Sequence, residues 1–307
     1  MTDKKGPEMT AEINPFEEET LYRYLPLIKE DKEDLENFSA WSDSRNIDAA
    51  RNYIDSIAHR KDHRLLYMLR NKKLYRSTPS DFNDPYDCLV EISDNATNEN
   101  LLNWLRLYYG NQALNSKEWN QRANYLSKYI NDNNIELDNK HREPLLDLIK
   151  STLQRIVNNS RIICFSKSQK NLLMWAHYAD KHSGYCLSFD AKKLKGRNSL
   201  VGLYEVDCNS KLRPLLQLTP QEKTAEKILL KKSLHWKYEE EVRLIYVNTE
   251  EYFDFQPKSL TGIVFGAKMP PEYQAGFRFL VETLNEWKHA SFSSAELDRK
   301  KYAVSIL

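Results

Sequence analysis

The second half of this chain is a series of short β-branched and aromatic segments, and that series constrains the fold more than any other feature. Residues 162–166, 185–189, 201–206, 242–247, 252–255, 262–265 and 302–306 each have strand composition and strand length. Helical patterns near 170–180, 220–232 and 272–288 separate only some of them. A parallel pair needs a long crossover, usually a helix, so strands that adjoin without one are antiparallel neighbours. The pattern predicts an α+β fold with a central antiparallel or mixed sheet rather than a doubly wound one.

The first half supplies helices. Residues 1–20 mix acids, Lys and Pro without periodicity, which predicts a disordered tail. Over 44–60, Ser44 can cap a helix whose one face carries Ile47, Ala50, Tyr53, Ile54 and Ile57. A shorter helix at 65–69 leads into a strand at 74–78, and the Pro, Asp and Asn residues of 79–87 have turn chemistry. From 97 to 158 two apolar stripes, Leu101-Leu102-Leu105-Tyr108 and Leu145-Leu148-Ile149-Leu153-Ile156, predict a helical insertion within a single domain over 21–307.

Composition narrows the function. Lys plus Arg number 45 and Asp plus Glu 44, for a net charge of +1, which argues against general electrostatic binding of nucleic acid. With 8 glycines and no glycine-rich phosphate loop, nucleophile elbow or HExxH, the chain does not read as a nucleotide triphosphatase, a Rossmann oxidoreductase or an α/β-hydrolase. Cys88, Cys164, Cys186 and Cys208 are far apart and lack zinc spacing, so they read as reduced thiols of a cytoplasmic protein. Apolar runs such as 162–165 or 263–265 are far too short to span a bilayer, and no apolar leader opens the chain, so no membrane partner is expected.

Segment 236–245 concentrates charge in what reads as a strand. There Glu239, Glu241 and Arg243 share one face, because side chains alternate with period two. Like charges at neighbouring same-face positions are unfavourable unless a cation or hydroxyl lies between them. Three other segments are as unusual: Leu21-Tyr22-Arg23-Tyr24; Tyr75-Arg76-Ser77-Thr78-Pro79 with Phe82-Asn83-Asp84-Pro85-Tyr86-Asp87; and Cys164-Phe165-Ser166-Lys167-Ser168 followed by Leu173-Met174-Trp175-Ala176-His177-Tyr178 and Ser183-Gly184-Tyr185-Cys186-Leu187-Ser188-Phe189-Asp190. In order and spacing, together with Ile263-Val264-Phe265-Gly266, they resemble the bacterial family DUF2971, a domain of unknown function, over residues 21–307.

The same order is similar, more distantly, to mono-ADP-ribosyltransferase folds, which carry an early Arg or His, a Ser-Thr-Ser or aromatic element, and a late Glu-x-Glu. That resemblance implies an NAD-consuming enzyme, a transferase or glycohydrolase, acting in phage defence or stress. Arg23 and Tyr22 would hold the NAD, Ser77 would brace the glutamate, and Trp175, His177 or Tyr178 would line or stack the ring. Glu241 would take the ribose 2′-hydroxyl and Glu239 would orient a nucleic-acid or protein acceptor. Such a preorganised charged contact contributes about 2–4 kcal/mol in a transition state. The middle element here reads Ser77-Thr78-Pro79 instead of Ser-Thr-Ser.

Other readings stand beside it. Asp84, Asp87 and Glu241 could serve a metal-dependent nuclease, or the aromatic and arginine segments a non-enzymatic module binding a small molecule or partner. Glu239 and Glu241 could be a solvated or salt-bridged strand face with Arg243 and Lys237, and Arg23 could stack on its tyrosines. Asn83-Asp84-Pro85 fits a rigid turn, and His177, Trp175, Tyr178 and Trp236 fit a core.

Overall fold

The computed structural model describes residues 16, 19–93, 96–97, 100–101, 139–194, 202–211, 227–247 and 250–307. In chain order these form β1 (Thr20–Leu25), α1 (Lys29–Asp43), α2 (Ile47–Ile57), α3 (Arg64–Asn71), β2 (Lys73–Tyr75), α4 (Asn139–Asn158), β3 (Ser160–Ser166) and α5 (Leu172–Tyr178). There follow β4 (Tyr185–Asp190), β5 (Gly202–Glu205), β6 (Asp207–Asn209), β7 (Lys231–Ser233), β8 (Glu241–Val247), β9 (Tyr252–Asp254), β10 (Leu260–Phe265), α6 (Pro271–Leu284), β11 (Ser291–Leu297) and β12 (Val304–Ile306). The architecture is α+β, as the strand series predicts.

An eight-stranded sheet runs in the order β12-β11-β10-β4-β1-β3-β8-β5. Its pairs are antiparallel except β10–β11, the pair whose connection contains helix α6. Two short ribbons flank it, β2–β9 antiparallel and β6–β7 parallel.

Alternation along the strands builds two faces. Ile163 and Phe165 of β3, Tyr185, Leu187 and Phe189 of β4, and Val242, Leu244 and Tyr246 of β8 enter one core with α1, α2, α3 and α6. In that layer α1 lies so close to α6 that a Cβ on Gly276 would sit 2.1 Å from the Leu35 carbonyl oxygen, which only glycine avoids. The opposite face carries two separate clusters. Ile162 and Ile245 pack with Leu145, Ile149, Leu153 and Val157 of α4. Tyr24, Cys186 and Val264 pack with Met174 and Trp175 of α5. The seam between those clusters is where polar side chains gather.

Several elements differ from expectation. Helix α1 escapes the apolar pattern because its buried positions are Asp31 and Asp34 as well as Leu35 and Phe38. Helix α2 is capped by Asn46, whose Oδ1 accepts from the Ala49 N–H at 3.1 Å, rather than by Ser44. Residues 231–232, expected in a helix, open strand β7, where Lys231 and Lys232 pair with Asp207 and Cys208. Strand β11 was not foreseen because its serines at 291, 293 and 294 lack strand composition. The end of the expected helical insertion is α4, while residues 102–138 lie outside the described residues. So does most of the expected tail, although Phe16 is buried and Thr20 already belongs to β1. All four cysteines are free thiols, Cys88 and Cys186 buried and Cys164 and Cys208 half-buried.

Candidate functional site

The sheet opens beside β1. This strand is paired with β4 along its whole length, from Thr20–Asp190 to Leu25–Tyr185, but meets β3 only at Tyr22–Ser166. Farther along that edge of β3, Ile162 exchanges two backbone hydrogen bonds of 2.9 Å with Ser77 instead. Between these attachments lies a cleft of about 430 Å³, a volume within the roughly 300–1,000 Å³ of small-molecule sites. Tyr22, Arg23, Ser77, His177, Tyr178, Glu239 and Glu241 all line it. Residues from four distant segments of sequence therefore share one cleft.

The carboxylates converge by a route other than the expected one. Glu239 is not on a strand; it ends a 3₁₀ turn, Leu234–Glu239, and Glu240 follows in the left-handed region at φ 45° and ψ 50°. Strand β8 begins only at Glu241. That reversal at Glu240 brings Glu239 back beside Glu241, while Glu240 itself is exposed. Across the sheet, Tyr22, Ser166 and Glu241 form one row of three strands, because Ser166 pairs with both others.

Two cations hold the carboxylates together. Arg243 is fully buried and donates Nε to Glu241 Oε1 at 2.8 Å and Nη2 to Glu241 Oε2 at 3.0 Å. It also grips Asp87 at two points and donates Nη1 to the Leu229 carbonyl at 2.6 Å. Lys232 Nζ donates to Glu239 Oε2 at 2.5 Å and to Glu241 Oε2 at 2.8 Å, and lies 3.7 Å from Asp87. Burial alone would raise the Glu241 pKa, but the Arg243 and Lys232 charges outweigh it and hold the carboxyl at about 2. Burial likewise opposes the charge on Lys232, and Glu241 and Glu239 more than restore it. Of the solvated or salt-bridged face considered from sequence, the ion pair with Arg243 is present, but it is buried and Lys232 supplies the second cation.

Glu239 faces the other wall. Its Oε1 accepts from the Tyr178 hydroxyl at 2.6 Å, and that oxygen in turn accepts from Asn83 Nδ2 at 3.3 Å. Burial first, and then the neighbouring Glu239, push the Tyr178 phenol above its ordinary value, so it stays a donor. His177 is exposed at the rim, its ring 6.3 Å from those of Tyr178 and Tyr238.

Arg23 is different from the other cations. Nη2 donates to the Tyr75 carbonyl at 3.0 Å, across the gap that β1 leaves, while Nη1 is buried without a partner. Among the described residues no carboxylate forms an ion pair with it. Burial pulls its pKa down from the ordinary value, so an anion arriving in the cleft would relieve an existing cost.

Trp175 is a correction. Expected to stack a bound ring, it is fully buried, donates Nε1 to the Gln169 carbonyl at 2.9 Å and meets Tyr24 edge-on at 5.1 Å. It supports the cleft from within the core. The metal reading has a similar difficulty. Asp87 and Glu241 are bound to Arg243, and Asp84 Oδ1 accepts the Tyr86 N–H at 2.9 Å in its own turn. Among the described residues no group of three His, Cys, Asp or Glu is placed to hold a metal ion.

Lys232 and Ser166 are cleft residues that sequence reasoning did not assign. Lys232 was masked by a helical reading of its segment, whereas Ser166 lay inside a segment already singled out, in register with Tyr22. Among the described residues no helix is long and apolar enough to cross a membrane. Neither the curated proteins nor the solved structures contain a match to the chain. Residues 174–244, which run from α5 through β4 and the carboxylate turn into β8, match the family model described as a protein of unknown function, DUF2971.

Proposed function

We propose that the cleft binds a nicotinamide dinucleotide and cleaves its N-glycosidic bond, transferring the ADP-ribosyl group to an acceptor or to water. The observation that carries this reading is the presence, in one cleft, of a half-buried arginine whose buried Nη1 has no partner among the described residues and a preorganised pair of carboxylates. Arg23 suits a phosphate oxygen, because guanidinium forks match such anions. Tyr22 and Tyr178 offer ring faces, and Ser166 and Ser77 lie beside the gap.

The chemistry asks little more. The bond between ribose C1′ and the pyridinium nitrogen breaks, and its electron pair stays on the leaving nicotinamide, which becomes neutral. The oxocarbenium-like carbon is then taken by the oxygen of water or an acceptor nucleophile, which releases its proton. An ionised carboxylate fixed beside that carbon stabilises the developing charge without having to reorganise. At neutral pH Glu241 is ionised and, bound to Arg243, anchors the Lys232 ammonium that meets Glu239.

The test is incubation of the full chain with an etheno-NAD reporter, with and without candidate protein and nucleic-acid acceptors. Fluorescence release by the wild type and its loss in Arg23→Gln would support the reading. Absence of release and of ADP-ribose binding would sink it. The second reading, a non-enzymatic ligand-binding module, is favoured by one observation, the three hydrogen bonds that Glu241 already accepts from Arg243 and Lys232. Binding of ADP-ribose without turnover would select it.

A further inference from the structure

Resting on the reading that this cleft cleaves an N-glycosidic bond, we infer that Glu239, and not Glu241, is the carboxylate that meets the ligand, with Lys232 as its positioning residue. The assignment follows from how each group's acceptor capacity is spent. A carboxylate has about four lone-pair sites. Glu241 gives Oε1 to Arg243 Nε, and Oε2 to both Arg243 Nη2 and Lys232 Nζ. The fork fixes its plane, and its charge is divided between a guanidinium and an ammonium.

Among the described residues Glu239 has one donor on each oxygen: the Tyr178 hydroxyl on Oε1 and Lys232 Nζ on Oε2. Each oxygen keeps room for a further donor, such as a ribose hydroxyl. Glu239 also enters from a turn rather than from within the sheet, because the left-handed Glu240 follows it. Its two partners come from different walls of the cleft, Tyr178 from α5 and Lys232 from β7. Both line the cleft with it. Lys232 thus links the locked carboxylate to the available one, 2.8 Å from the first and 2.5 Å from the second. Asp87 and Glu241, both held by Arg243, fix Lys232 within the same cleft.

The experiment compares wild type, Glu239→Gln, Glu241→Gln, Lys232→Met and Lys232→Arg as full chains, measuring etheno-NAD turnover, ADP-ribose affinity and near-ultraviolet circular dichroism. Glu239→Gln is expected to lower kcat by about 10²–10³, the loss typical of one preorganised charge-stabilising group, with ADP-ribose affinity changed by less than about threefold. Glu241→Gln is expected to keep kcat per folded molecule within about tenfold of wild type, since it is asked to supply less than one such group. Lys232→Met should lower kcat with KM unchanged, and Lys232→Arg should restore part of it. Loss of turnover in folded Glu241→Gln, with Glu239→Gln retaining it, would overturn the inference while leaving the glycosidic reading intact. If Glu241→Gln does not fold, Glu239→Asp decides: a lowered kcat supports the assignment and an unchanged kcat overturns it. A wild type that neither turns over the reporter nor binds ADP-ribose removes the reading and this assignment with it.

Discussion

Arg243 grips Asp87 at two points, Nη1 to Oδ1 at 2.9 Å and Nη2 to Oδ2 at 2.6 Å, with both side chains buried. The grip ties the turn after β2 to the middle of β8, 156 residues away, and so closes one wall of the cleft. Removing one member of a buried pair leaves an uncompensated charge, at a cost of about 3–5 kcal/mol. Arg243→Met should therefore lower unfolding free energy by that amount in urea titration, since Asp87 and Glu241 would be left with Lys232 alone. A change below about 1 kcal/mol, the range of solvated surface pairs, would show that the network is open to water.

Arg23 should behave in the opposite way. Among the described residues its guanidinium makes one hydrogen bond and its buried Nη1 has no partner, so the fold gains little from its charge. A hydrogen bond to a charged group contributes about 1.5–3 kcal/mol, or roughly 10–100-fold in affinity. Arg23→Gln is expected to weaken ADP-ribose binding by that factor in calorimetry while thermal unfolding moves little. Equal affinity of variant and wild type would remove Arg23 from the site.

The strand series was legible because composition and period reach the backbone directly: β3, β4, β8 and β10 fall where their apolar runs place them. The site residues were legible as a set for a different reason, since unusual polar and aromatic clusters recur at the edges of those same strands. Their pairing was not. Lys232 and Arg243 select Glu241 through contacts that bring residue 87 to residue 243, and no local pattern encodes such a meeting. Glu240 shows a second limit: a single left-handed residue moved Glu239 from an expected strand face into a turn. Helix α1 shows a third, for Asp31 and Asp34 occupy buried positions that a hydrophobic period cannot see.

Two carboxyls make stability depend on pH in opposite senses. Asp31 is pushed up to about 6 from an ordinary 3.8, chiefly by burial, despite accepting from the Leu65 and Ile28 N–H groups. The fold therefore binds a proton the unfolded chain has lost, and that stabilisation is complete below the ordinary value and lost as pH rises through 6. Glu241, held at about 2, does the reverse: its contribution is complete above 4.5 and lost as pH falls towards 2. Asp31→Asn should abolish the decline between about pH 4 and 6, while its amide keeps an acceptor for only one of the two N–H groups and so lowers the plateau by about 1–3 kcal/mol. Denaturant midpoints measured across pH 3–8 for both proteins test this; parallel curves would refute it.

Tyr178 and Trp175 lie three residues apart on α5 yet should separate function from stability. The Tyr178 hydroxyl is at the cleft, 2.6 Å from Glu239 Oε1, so Tyr178→Phe removes a contact to the proposed ligand-meeting carboxylate. That hydrogen bond contributes about 1.5–3 kcal/mol, so turnover should fall roughly 10–100-fold if the contact matters fully in the transition state. Stability should change by less, because Lys232 still compensates the Glu239 charge. Trp175→Phe leaves the Gln169 carbonyl without its indole donor and opens space in a fully buried position. It should cost about 1–3 kcal/mol of folding, mostly through the unpaired carbonyl, with turnover per folded molecule unchanged. Measured together by thermal unfolding and reporter turnover, the two variants should move on different axes. A Trp175→Phe protein that folds as well as wild type but has lost turnover would place the indole in the site after all.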